Sequence, residues 1–142
     1  MKARMGWLLA GVALSSIAAI AAIAAGANGG PRIVELAESN GSNTSARALL
    51  DAGSKPNTTR VDVILEKKGS QAGYSAALLF GTCEDPAGVA FTLNAVQNGK
   101  SSTQLPANYL QFDRPYALVL KASDAPSAPI LACGTYYDPS TR

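Results

Sequence analysis

The sequence predicts an all-β protein, an antiparallel Greek-key sandwich or barrel of about eight strands, preceded by an N-terminal apolar signal segment. Three observations support this fold class. Short apolar or alternating runs recur along the chain, and clusters of Gly, Pro and Asn separate them. No amphipathic helical pattern follows the apolar segment. The Asn-Gly pair at residues 98–99 is typical of a two-residue hairpin turn.

The first 27 residues have the composition of a secretory signal. Lys2 and Arg4 precede an uncharged run over residues 7–25, and small residues then lead to Ala27. We expect cleavage after Ala27, which leaves residues 28–142 as one exported domain. The alternative is a retained membrane anchor, because an apolar run of about 19 residues is just long enough to span a bilayer.

The first half of the domain contains four candidate strands. They cover residues 33–37, 46–52, 58–67 and 74–80. The third is the clearest, because Val61, Val63 and Leu65 share one face and polar residues fill most of the other. Residues 46–52 fit either a strand or a single helical turn. Polar or Gly-containing turns separate all four segments.

The second half predicts four more strands. Residues 83–88 form a loop, after which Val89, Phe91 and Leu93 alternate as the next strand. The Asn-Gly turn leads into a polar strand at residues 100–105, either at an edge or with one wet face. The remaining segments are a connection at 106–115, a strand at 116–121, a loop at 123–129 and a strand at 130–137.

The charge of the predicted domain is balanced. Two of the twelve basic residues lie in the signal segment, so ten remain to oppose ten acidic residues. The basic residues are scattered, and a basic surplus that could hold nucleic acid or an anionic membrane is lacking. We therefore expect no nucleic-acid partner, and contact with a membrane only if the N-terminal segment is retained.

The sequence contains no histidine, which removes the usual general base and the usual transition-metal ligand. The candidate carboxylate pairs are Glu84 with Asp85 in a loop and, farther apart, Asp51 with Asp62. Neither pair provides the four or more convergent oxygens that calcium needs, and no Ser-x-x-Lys motif occurs. We predict no catalytic residue, no bound metal and no cofactor.

Cys83 and Cys133 are the two cysteines of the chain. Cysteines of an exported protein are expected to pair, so we predict a disulfide between them. It would close a loop of about 50 residues and stabilise the domain by roughly 4 kcal/mol in the chain-entropy model.

Three Asn-x-Ser/Thr triplets begin at Asn40, Asn43 and Asn57. In a host that glycosylates such triplets, these asparagines are candidate glycan acceptors. The alternative is that polar turns generate the triplets by chance.

The segment from Tyr74 to Gly134 resembles the CHRD-type domain, a module named for chordin and found in many exported proteins. More distantly it resembles the copper/zinc superoxide dismutase sandwich. The residues that carry the resemblance are Gly81-Thr82-Cys83, Pro86 with Gly88, the stretch 93–103, Tyr116-Ala117-Leu118 and Ala132-Cys133-Gly134. The resemblance implies a β-sandwich in which Cys83 is bonded to Cys133.

The chain departs from this group at the positions that would hold a metal. Members often carry His-x-His just before the Gly-Thr-Cys and another histidine at the end of the strand that begins Tyr-Ala. Here these positions are Ala77, Leu79 and Lys121. Dismutation requires a redox copper held by several imidazoles. The resemblance therefore implies the fold without the active site.

Our leading hypothesis is an exported, non-enzymatic β-sandwich with a structural or binding role at the cell surface or in the periplasm. Its partner would be an unknown protein or surface ligand, and Tyr136-Tyr137 is a candidate surface contact. One alternative is a dismutase-like metalloprotein with non-histidine or partner-supplied ligands. Another is a membrane-anchored accessory domain.

Overall fold

The computed structural model describes residues 30–137, which form a closed barrel of antiparallel strands. The predicted signal segment and its cleavage site lie outside these residues. The strands are β1 Arg32–Glu38, β2 Ser45–Ala52, β3 Thr59–Lys67, β4 Gly73–Gly81, β5 Pro86–Gln97, β6 Lys100–Leu105, β7 Tyr116–Lys121 and β8 Ile130–Tyr136.

Around the barrel the strands follow the order β1-β2-β3-β6-β5-β4-β7-β8. The chain therefore skips to a non-adjacent strand after β3 and again after β6, which is the Greek-key pattern. This confirms the predicted fold class of eight antiparallel strands. No helix within residues 30–137 is long and apolar enough to cross a bilayer.

Strands β1, β2, β3 and β6 form a part of the barrel wall that is regular apart from one register shift at Ser45/Ala46. The segment at 46–52 is the strand β2, and it pairs along its whole length with β3. Val61 and Val63 point into the core, whereas Ile64, the residue after Val63, points outward and is 45% exposed. This is the alternation that the sequence predicted for a strand with one wet face.

Asparagines occupy the left-handed positions of the tight turns. Asn40 and Gly41 both have positive φ, and the Ser42 N–H donates to the Ser39 carbonyl at 3.1 Å, which makes a type I′ turn between β1 and β2. Asn98-Gly99 has the same signs of φ and joins β5 to β6, as predicted. Asparagine tolerates this conformation better than other residues that have a β-carbon.

Two predictions about β5 were wrong: the residue at which it starts, and the placing of Val89 and Phe91 on the same face. The strand begins at Pro86, inside the segment expected to be a loop. Its register with β4 shifts, because Leu78 is opposite Phe91 while Leu79 is opposite Val89. Ala90 is thus an extra residue, a β-bulge, and Val89 and Phe91 point to opposite faces. Simple alternation cannot reveal a bulge.

The core fills the barrel with Leu, Val and Ala side chains, and the connection between β6 and β7 covers one end. A 3-10 turn at Tyr109–Gln111 buries Tyr109 there. Its N–H donates to Thr59 Oγ1 at 2.8 Å, and that hydroxyl donates to the Ala107 carbonyl at 2.6 Å. The Tyr136 hydroxyl donates to the Tyr109 carbonyl at 3.1 Å. Tyr136 is 4% exposed, so the candidate surface contact at Tyr136-Tyr137 was wrong for Tyr136 and stays a prediction for the half-buried Tyr137.

Candidate functional site

A second apolar cluster lies outside the barrel, on the outer face of β4 and β7. Its members are Ala77, Leu79, Ala117 and Val119, with Cys83, Cys133 and Ile130 packed against them. Both faces of these two strands are therefore covered, one by the barrel core and one by this outer cluster. This explains why the sequence is continuously apolar at 76–79 and 117–120 rather than alternating.

The disulfide Cys83–Cys133 closes one side of the outer cluster. The two Cα atoms are 6.0 Å apart, and the bond joins the β4–β5 connection to strand β8. The Cys83 N–H also donates to Thr135 Oγ1 at 3.0 Å. The connection is thereby attached to β8 at two points, and the predicted pairing of the cysteines is confirmed.

The three positions at which the resemblance would place imidazole ligands fall in this cluster or at its edge. Ala77 and Leu79 are 9% and 8% exposed and carry only hydrocarbon. Lys121 ends β7, and its ammonium donates to the Ala125 carbonyl at 3.0 Å. No group of three Cys, Asp or Glu side chains within residues 30–137 could hold a metal ion.

An open cleft of about 310 Å³ lies beside the outer cluster. Its lining is mostly apolar and includes Leu79, Val89, Ile130 and the aliphatic part of Lys121. A lysine ammonium that is already hydrogen bonded is its only ionisable lining group. The cleft can accept an apolar group but offers neither a nucleophile nor an acid–base pair.

The candidate carboxylate pairs occupy exposed surface. Glu84 and Asp85 lie in the turn before β5. Asp51 and Asp62 are brought together by Arg60, which lies 3.6 Å from Asp51 and 3.0 Å from Asp62. A guanidinium between two half-exposed carboxylates forms an ordinary surface ion-pair network, and such pairs contribute little to stability.

The three candidate glycan acceptors are exposed and lie in turns at the two ends of the barrel. Asn40 and Asn43 belong to the β1–β2 connection, and Asn57 belongs to the β2–β3 connection. All three have positive φ, and Asn40 Nδ2 also donates to the Ile130 carbonyl at 2.9 Å. Backbone conformation therefore accounts for these asparagines without a glycan, and their modification stays a prediction.

An aromatic cluster lies at the end of the barrel that the β6–β7 connection covers, and the sequence analysis did not predict it. Ring centroids are 4.8 Å apart for Phe112 and Tyr116, and 6.3 Å apart for Phe91 and Phe112. Tyr109 is buried in the same core, and burial raises its pKa above the ordinary value. The negative charge of Asp51 adds to this rise in pKa, and Arg32 opposes it. Phe91, Phe112 and Tyr116 belong to three separate elements. No local sequence motif therefore predicts that these rings come together.

Comparison with protein-family models, with curated proteins and with solved structures finds no match for this chain.

Proposed function

We propose that this chain is an exported, non-enzymatic domain with a structural or binding role at the cell surface or in the periplasm. We further propose that it is a CHRD-type domain in which alanine, leucine and lysine stand at the positions that hold the metal in other members. The observation that carries the proposal is the outer cluster, where hydrocarbon and an engaged lysine stand at the positions that the resemblance assigns to imidazoles.

The disulfide supports the proposed location. A Cys83–Cys133 bond is compatible with an oxidising compartment outside the cytosol, where disulfides persist. The expected signal segment and cleavage after Ala27 point to the same compartment. Intact-mass measurement of the mature protein tests this part, because a cleaved chain must begin at Asn28. A mass that includes residues 1–27, found in the membrane fraction, would instead support the anchored alternative.

The binding role is tested by capture from a native envelope extract. We expect immobilised chain to enrich a small set of components, and excess soluble chain to compete this enrichment away. An immobilised chain of C83A/C133A that has been thermally unfolded serves as the control for non-specific adsorption. Enrichment that soluble chain does not compete would contradict a binding role.

The dismutase-like alternative requires activity when copper and zinc are supplied. We expect the purified chain with both metals to remove superoxide no faster than the metals with an unrelated protein. A rate that exceeds this background and scales with chain concentration would overturn the non-enzymatic proposal.

A further inference from the structure

Strand β5 has an edge that the barrel leaves largely unpaired. It contains twelve residues, whereas its neighbour β6 contains six. The two strands share a single ladder pair, Gln97 with Lys100, next to the hairpin turn. On its other side β5 pairs with β4 from Pro86 to Gln97, with three shifts of register along the way. The first half of β5, Pro86 to Phe91, therefore extends past the end of β6. On that side of β5 no strand pairs with it.

Side chains hold the seam between β5 and β6 just above this free edge. The Asn94 N–H donates to Thr103 Oγ1 at 2.8 Å, and Asn94 Nδ2 donates to the Ser102 carbonyl at 2.7 Å. Apart from the strand ladders, no backbone hydrogen bond within residues 30–137 reaches the segment 86–93. The backbone groups on the open side of this segment thus remain available to an added strand.

The edge has few of the features that prevent strand addition. No residue between Pro86 and Gln97 is charged, and Val89 is 58% exposed. Natural sheet edges are commonly protected by lysine or other charges, by proline and by bulges. Here charges are absent, and the protection consists of a proline at the first position, the bulge at Ala90 and a second register shift between Pro86 and Val89. An uncharged, exposed edge of this length is a template for an extended chain.

A cleft of about 340 Å³ beside the edge indicates what kind of chain fits. It lies between β5 and the β6–β7 connection, with Phe91, Phe112 and Tyr116 among its aromatic lining. The connection forms the opposite wall of the cleft, so a strand added to this edge would lie between β5 and the connection. Asp113 is the only ionisable group in the lining other than the buried tyrosine. Arg114, which pairs with Asp113 at 3.5 Å, is not part of the lining. An acidic segment in the cleft would therefore face a carboxylate, and it is disfavoured there.

We propose that the free edge of β5 binds an extended, non-acidic polypeptide segment as an added strand, with one apolar side chain entering the aromatic cleft. Backbone hydrogen bonds along Pro86 to Phe91 would supply the pairing, and the cleft would select the side chain. This inference rests on the proposed binding role and names the class of partner.

The test uses acetylated heptapeptides that alternate valine with threonine, lysine or glutamate, titrated against the isotope-labelled chain. We expect the threonine and lysine peptides to shift the amide resonances of residues 86–94 and 106–113, and the glutamate peptide to bind at least five-fold more weakly. Val89→Lys adds a charge of the kind that protects natural sheet edges, and it should weaken binding of the threonine peptide at least five-fold. Ile64→Lys is the matched control and should leave binding unchanged, because β3 is paired on both sides.

The urea midpoints of both variants would show whether each remains folded. Shifts distributed over the barrel, or an equal loss of binding in the two variants, would overturn the proposal. No saturable binding of any peptide at millimolar concentration would also overturn it. If soluble chain still competed the capture of an envelope component, and Val89→Lys had no effect on that capture, the binding role would stand and only this edge would be excluded.

Discussion

Replacing both cysteines by alanine should remove a large part of the stability of this domain. The disulfide spans a sequence separation of 50 residues. Closing a loop of that length lowers the conformational entropy of the unfolded chain, which raises its free energy by about 4 kcal/mol at 25 °C. Cys83 and Cys133 are only half-buried, so the loss of packing in the outer cluster adds little. We therefore expect C83A/C133A to cost about 3–5 kcal/mol.

Urea unfolding followed by far-UV circular dichroism measures this loss. With a slope near 1.5 kcal/mol/M, the midpoint of C83A/C133A should fall by about 2–3 M, and the melting temperature by about 15 °C. Wild-type chain unfolded in the presence of a reductant is the matched control and should behave as the variant does. A midpoint within 0.5 M of the oxidised wild type would refute the reasoning, because it would mean that the unfolded chain gains little freedom when the bond is absent.

Three further predictions concern the barrel itself. Gly134→Ala should cost about 1–3 kcal/mol, because a β-carbon there would meet the backbone of β1; Gly88→Ala, where the space is open, should be near neutral in the same urea titration. Thr59→Val should cost about 1–3 kcal/mol by leaving the buried N–H of Tyr109 without an acceptor, whereas Thr92→Val on an exposed site should not. The pKa of Tyr109 is raised in the folded state, so the folded chain holds the phenol proton more tightly than the unfolded chain does. The resulting contribution to the free energy of unfolding is complete below the unfolded pKa near 10, and it is lost as the pH rises through the folded pKa. Unfolding titrations from pH 8 to 11 should show this alkaline loss in wild type and a smaller one in Tyr109→Phe; an equal loss in both would contradict it.

Most of the fold could be predicted because each strand has its own local signal. The alternation around Val61 and Val63 and the Asn98-Gly99 turn each depend on neighbouring residues, and the structure confirms both. The bulge at Ala90 could not be predicted, because it arises from register with β4 and not from the residues of β5. The position of Tyr136 was also wrong, because its partner Tyr109 lies 27 residues away in the sequence.

The candidate site was predictable only in part, and for a similar reason. The expected export of the chain and its two cysteines predicted the disulfide, which the structure contains. The outer cluster could be recognised only from the tertiary structure, because the sequence around Leu79 and Val119 is equally typical of residues in the barrel core. The free edge of β5 depends on the unequal lengths of two paired strands. Such a feature appears only when both partners and their register are known.

Elemental analysis of the natively purified chain tests the central claim most directly. Ala77 and Leu79 offer only buried hydrocarbon, and the Lys121 ammonium is already hydrogen bonded. Copper and zinc should therefore each be far below one atom per chain after dialysis against a mild chelator. The variant A77H/L79H/K121H, analysed in parallel, shows whether added imidazoles restore any metal binding at these positions. Near one copper or zinc per wild-type chain, retained through dialysis, would contradict the account.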